Sequence, residues 1–246
     1  MQSHTFAGRR PIYGATATLG VSDRIAFLRR TYALLGAALV ALAVFTGGMM
    51  TLAPETSIAM SRWAFSGSLN WLVVLALFMG VGYVSQRLAW SQTSRGLQLL
   101  GLSIGVIAQG LILQPLLWVA MLKLGATGGL SVITQATFIT IAIFVGLTLT
   151  VFISKKDFSF LRGALVIASF AALGVILASM LFGFSLGALF AGVMVLLMAG
   201  YILYQTSTVL KEFPPTAYVA AALMLFSTIA TLFWYVLQLL LSFRRE

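Results

Sequence analysis

Cysteine is absent from the 246-residue chain, histidine occurs once, and charged residues make up only 8% of it. Without cysteine there is no disulfide, no thiolate nucleophile and no zinc–thiolate site. The lone histidine, His4, sits in a polar stretch at the start of the sequence. It therefore offers neither a histidine base within a membrane nor a histidine metal site. The shortage of charge excludes more. A soluble domain of this length carries roughly a quarter charged residues to solvate its surface, and no such shell can be built here. Disorder is excluded as well, because 61% of the residues are hydrophobic. Four of the five acids, Asp23, Glu55, Asp157 and Glu212, fall in tails or between apolar runs, and Glu246 ends the sequence. Ionisable groups inside a membrane mark proton relays and ion paths; none lies in the middle of an apolar run. The chain is not expected to be an enzyme, and no catalytic, cofactor-binding or metal-binding residue is assigned.

What the sequence has is apolar runs near 20 residues, the length that spans about 30 Å of hydrocarbon as a helix. Seven are read, at 31–53, 69–84, 96–121, 131–153, 161–181, 185–204 and 218–243. Pro54 ends the first, Trp63 and Trp71 stand near the start of the second as interfacial anchors, and Pro115 lies near the end of the third. The ten-residue alternation of a membrane β-barrel is missing. Uniformly apolar segments satisfy their backbone amides within a bilayer only as helices. The expected fold is all-α: a polytopic membrane protein, a seven-transmembrane-helix bundle over 25–246. It is preceded at 1–24 by a flexible basic cytoplasmic tail that carries Arg9, Arg10, Pro11 and Asp23. That tail contains no apolar stretch and does not read as a secretory signal.

The formal charge of +10 has a use other than nucleic acid, which is not implied. Basic residues in short loops fix orientation and meet anionic headgroups of the lipid bilayer. With the amino terminus cytoplasmic, that side holds Arg9, Arg10, Arg24, Arg29, Arg30, Arg87, Arg95, Lys155, Lys156, Arg162 and Lys211. The other side holds Arg62, Lys123, Arg244 and Arg245. The last two would prefer the cytoplasm, so the seventh segment either crosses fully or re-enters.

The spans do contain neutral polar residues. Gln109 and Gln114 lie in the third, Gln135, Thr137 and Thr140 in the fourth, Gln205 to Ser207 at the end of the sixth, and Ser227, Thr228 and Thr231 in the seventh. Two readings stand side by side: hydrogen bonds between helices, and the lining of a polar cavity, for which Gln109, Gln135, Ser207 and Thr231 are the candidates. Gly101 and Gly105 form a small-residue spacing that lets helices approach closely, and this is read as packing. The segment from Ser154 to Leu161 puts Lys155 and Lys156 at a membrane exit, with Asp157 or Ser159 able to cap the fifth helix. The hairpin from Tyr204 to Leu241 brings Gln205 within reach of a polar residue on the seventh helix.

Three stretches carry a resemblance. Arg30–Thr31–Tyr32–Ala33–Leu34–Leu35, Lys155–Lys156–Asp157–Phe158–Ser159–Phe160–Leu161, and the hairpin from Tyr204 to Leu241 resemble the Bax inhibitor-1 (transmembrane BAX inhibitor motif) family. The likeness covers about 25–241 and is greatest to the bacterial YccA branch, inner-membrane proteins associated with the membrane-anchored AAA protease FtsH. The resemblance implies a seven-helix fold built around a central helix. It also implies, for many members, a calcium leak governed by a pair of aspartates, one ending the sixth helix and one within the seventh. Two nearby carboxylates share a proton and titrate as a unit. Here the matching positions are Gln205 and Thr228, or Ser227 if the register slips by one, and neither substitute titrates.

The expectation is therefore a bacterial inner-membrane protein that acts as a modulator or substrate of an FtsH-type protease. The alternative is a calcium or cation leak channel with a degenerate, non-titrating sensor pair, with calcium held weakly. Lys155, Lys156 and Asp157 form the cytoplasmic family loop.

Overall fold

The computed structural model describes residues 20–154 and 156–244. His4, Arg9, Arg10, Pro11, Lys155, Arg245 and Glu246 lie outside the described residues. Seven helices follow one another, with no strand among the described residues: α1 (Val21–Leu52), α2 (Pro54–Phe65), α3 (Ser68–Ala89), α4 (Arg95–Ser154), α5 (Leu161–Phe182), α6 (Ala188–Lys211) and α7 (Tyr218–Phe243). All except α2 are long and apolar enough to cross a membrane.

Their boundaries differ from the apolar runs for physical reasons. The third and fourth runs are joined in the 60-residue α4, which breaks at Gly125, where φ is 70° and ψ is 173°. A positive φ is cheap only for glycine. The break reverses the chain, so that a Cβ built at Gly129 would stand 2.7 Å from Met121 Cα. Two arms result, 95–124 and 126–154, each long enough to span about 30 Å of hydrocarbon. With α1, α3, α5, α6 and α7 they make the seven expected crossings. Pro54 does not simply end a helix; it starts α2 from its first turn, where a missing N–H costs nothing. α1 begins at Val21, ahead of its apolar run, with Asp23 in its first turn complementing the helix dipole. α6 continues past Tyr204 to Lys211 because its polar end, Gln205 to Ser207, is buried against protein.

α7 is the central helix. Of its most apolar stretch 72% is buried, against 6% for α3 and for α5. The small residues Ala220, Ala221 and Ala222 are fully covered by neighbours, as close helix packing in a membrane requires. Outward-facing Phe138, Ile167, Phe170, Leu181 and Leu196 are exposed, a surface that lipid accepts and water would not. The glycine pair packs as read. Ser85 Oγ donates to Gly101 O at 2.6 Å, and a Cβ at Gly101 would meet Ala89 N at 2.7 Å.

Contacts fix the two ends of the bundle. At one, the Arg30 guanidinium lies 5.9 Å over the Tyr218 ring, Trp90 meets Phe213 at 5.0 Å, and Asp157 pairs with Lys211 at 3.7 Å. This α6–α7 end also carries Arg29, Arg87, Arg95, Lys156 and Arg162. At the other, Trp71 stacks on Trp234 at 6.0 Å, and Gln238 Nε2 donates to Leu186 O at 3.4 Å. α7 therefore runs from one end to the other and does not turn back. Arg244 finishes at this α2 end, donating to Gln135 Oε1 at 3.3 Å.

Candidate functional site

The end of α6 is polar where a membrane helix would ordinarily be apolar, and Gln205, Ser207 and Lys211 there each meet a distant part of the chain. Thr228 Oγ1 on α7 donates to Gln205 Oε1 at 2.8 Å, with Met224 O on its own helix 3.3 Å away. Both residues are buried. Ser227 turns elsewhere and donates to Leu223 O at 2.9 Å, so the partner of Gln205 is Thr228. An amide and a hydroxyl carry no charge at any physiological pH. The pair ties α6 to the central helix without a titrating group.

Two residues further along α6, Ser207 is buried and receives the backbone N–H of Phe158 at 3.3 Å. Its hydroxyl stands 3.5 Å from Asp157 Oδ1, which also accepts the Ser159 N–H at 2.9 Å. The Ser159 backbone N–H holds the Asp157 carboxyl below its usual range; partial burial opposes this, and the Lys211 charge adds to it. Neither Asp157 nor Ser159 caps α5, contrary to the expectation from sequence. Its first turn starts at Phe160 without a side-chain cap, and Asp157 instead closes the loop onto α6. From α1, Tyr32 reaches Thr206 without closing a hydrogen bond. The Arg30–Thr31–Tyr32, Asp157–Phe158–Ser159 and Tyr204–Leu241 segments thus converge on the last two turns of α6.

The cavity candidates separate. Gln109 and Thr231 share the wall of a cavity of about 500 Å³ between α3, α4, α5, α6 and α7. Ser207 belongs to the Asp157 loop instead, at the other end of the bundle. Gln135 is exposed and is held by Ser131 Oγ at 3.1 Å and by Arg244. Thr137 is exposed and bonds back to Ile133 O at 2.9 Å. Gln114 does what the hydrogen-bond reading expects: its Nε2 donates to Thr46 O at 3.1 Å and its Oε1 accepts from Ser57 at 2.8 Å. Trp118 Nε1 completes that network on Ser57 Oγ at 2.8 Å. Sequence reasoning missed Ser57, because α2 was not foreseen. It also missed Tyr235 and Gln238, whose spacing from Thr231 places all three on one helix face. Among the described residues no three His, Cys, Asp or Glu side chains gather where they could hold a metal ion.

The fold is that of a polytopic helical membrane protein, with a buried neutral pair joining α6 to the central α7 and the Asp157 loop clasped against α6. Residues 24–245 match the family of inhibitors of apoptosis-promoting Bax1, and the chain belongs to this Bax inhibitor-1 family. It is 30% identical over 224 residues to Bax inhibitor 1 of Schizosaccharomyces pombe, covering 89% of this chain and 77% of that protein. It is 34% identical over 174 residues to an uncharacterized protein of Pseudomonas aeruginosa, covering 69% of this chain and 73% of the other. A Golgi anti-apoptotic protein of vaccinia virus is 34% identical over 114 residues, 44% of this chain and 46% of the viral protein.

Proposed function

We propose that this protein is a non-enzymatic member of its family in the bacterial inner membrane, acting through contacts with an FtsH-type membrane AAA protease as a slowly handled substrate or competing ligand. The observation that carries the reading is the Thr228–Gln205 hydrogen bond. Where a titrating pair would let pH drive α6 and α7 apart, a neutral pair gives protons nothing to act on, so pH gating is not its mode of action. Relatives from Pseudomonas aeruginosa, Campylobacter jejuni and Vibrio cholerae support the bacterial membrane. The basic residues gathered at the α6–α7 end support placing that end, and with it the amino terminus, in the cytoplasm. The segment ahead of α1 would then lie on the side from which an ATP-driven unfoldase works, and proteolysis concentrates on segments outside the packed helices. Affinity purification from native membranes through a carboxy-terminal tag tests the reading. Recovery of the protease supports it, and a preparation free of the protease contradicts it.

A second reading, a weak cation leak, is favoured by one observation. The cavity floor at Thr231 lies three residues along α7 from Thr228, on the same side of the helix. Amide and carbonyl oxygens can pass a cation without carboxylates.

A further inference from the structure

The cavity of about 500 Å³ has the size of a small-molecule site. It extends along the first arm of α4 from Lys123, at the α2 end, to Gln109, 14 residues earlier and about 21 Å deeper at 1.5 Å per residue. Its walls are aromatic: Trp71 and Trp234 stack with planes 26° apart, and Phe190 meets Tyr235 edge-on at 6.2 Å. Two buried polar groups line it. Gln109 is 4% exposed and Tyr235 is 9% exposed, and among the described residues neither the amide nor the phenol has a hydrogen-bond partner. Thr231 is committed to Ser227 O at 2.8 Å, so it can only accept. The unspent donors are the Gln109 N–H groups and the Tyr235 O–H, and the oxygens of Gln109 and Thr231 stand beside them as acceptors.

Burying a donor without a partner is costly, and such groups persist where something else satisfies them. An acyl chain cannot, since it accepts no hydrogen bond. An anionic lipid held at Lys123 would lay hydrocarbon against both donors. Water alone suits a polar cavity, and these walls are mostly apolar. A flat head bearing carbonyl oxygens answers both donors, stacking between the aromatic walls and accepting from Gln109 and Tyr235. A way in exists as well: α3 packs on α4 and α7, α5 packs on α6, and no extended packing closes the gap between α3 and α5 among the described residues.

We propose that this cavity binds a neutral, flat amphiphile of the quinone and aromatic-ketone class, its head on Gln109 and Tyr235 and its tail leaving between α3 and α5 into lipid. Trp71 and Trp234 provide the readout. In nanodiscs, a decyl-substituted 1,4-benzoquinone should quench tryptophan fluorescence saturably. Gln109→Leu and Tyr235→Phe should each raise the half-saturating concentration at least tenfold, and the cavity-filling pair Leu75→Phe/Ile112→Phe should abolish saturation. Gln109→Leu should melt no lower than the parent, because it removes an unpartnered amide; a merely structural glutamine would show the reverse. If that variant fails to fold, the shift in half-saturation of Tyr235→Phe decides alone. Quenching that rises without saturating in the parent, or that is unchanged in the variants, overturns the proposal.

Discussion

Thr228 Oγ1 and Gln205 Oε1 stand 2.8 Å apart, on two helices whose family relatives are expected to place carboxylates there. The contact holds the central helix to α6 at all pH values. Thr228→Val removes the donor and leaves the amide oxygen bare, which should cost about 1 kcal/mol, within the range of hydrogen bonds between membrane helices. Adding Gln205→Leu should recover most of that loss, since replacing both partners by apolar groups is close to neutral. Thermal unfolding of the two single variants and the double variant in detergent checks this. Additive losses would mean the two residues do not interact.

Asp157 should make the loop sensitive to acid. Its carboxyl titrates below its usual value of 3.8 in the folded state, mainly through the Ser159 N–H. A depressed folded value contributes stability above the unfolded value, and that stability is lost as pH falls through the folded one. Asp157→Asn should therefore lower the melting temperature at neutral pH, and the gap to the parent should close below pH 3.8. The side chain is 58% exposed, so the effect should be small. A gap that stays constant down to about pH 2 would remove the carboxylate from the account.

Gly101 marks a close backbone crossing of α3 and α4. Any Cβ there meets the backbone of α3 at 2.7 Å, so Gly101→Ala must push two helices apart, at about 1–3 kcal/mol. Gly82→Ala, with nothing within 4 Å, should change stability by under about 0.5 kcal/mol. The same unfolding assay separates them, and equal effects would contradict the packing.

Much of this was legible in the chain. Apolar runs of spanning length and missing charge dictate a helical membrane bundle, and the α6–α7 hairpin alone places Gln205 near Thr228. The distribution of polar residues between sites was not. In water a helix shows its buried face by contrast with a polar one, but in lipid both faces are apolar and periodicity loses that contrast. Hence Ser207 reads as a cavity residue although it serves the Asp157 loop, and Gln135 although it faces outward. α2 was hidden because Pro54 signals a stop as readily as a start. The join within α4 rests on the backbone of Gly125, one glycine among 23.

The central claim is that a neutral pair leaves this protein without a pH gate. The most direct test is calcium flux in liposomes carrying the purified protein, measured from about pH 6 to 8, beside the double variant Gln205→Asp/Thr228→Asp. Two adjacent carboxylates share a proton and bring a titration into this range. The parent should show flux that does not change with pH, and the variant should gain a pH dependence. A steep pH dependence in the parent itself would contradict the account.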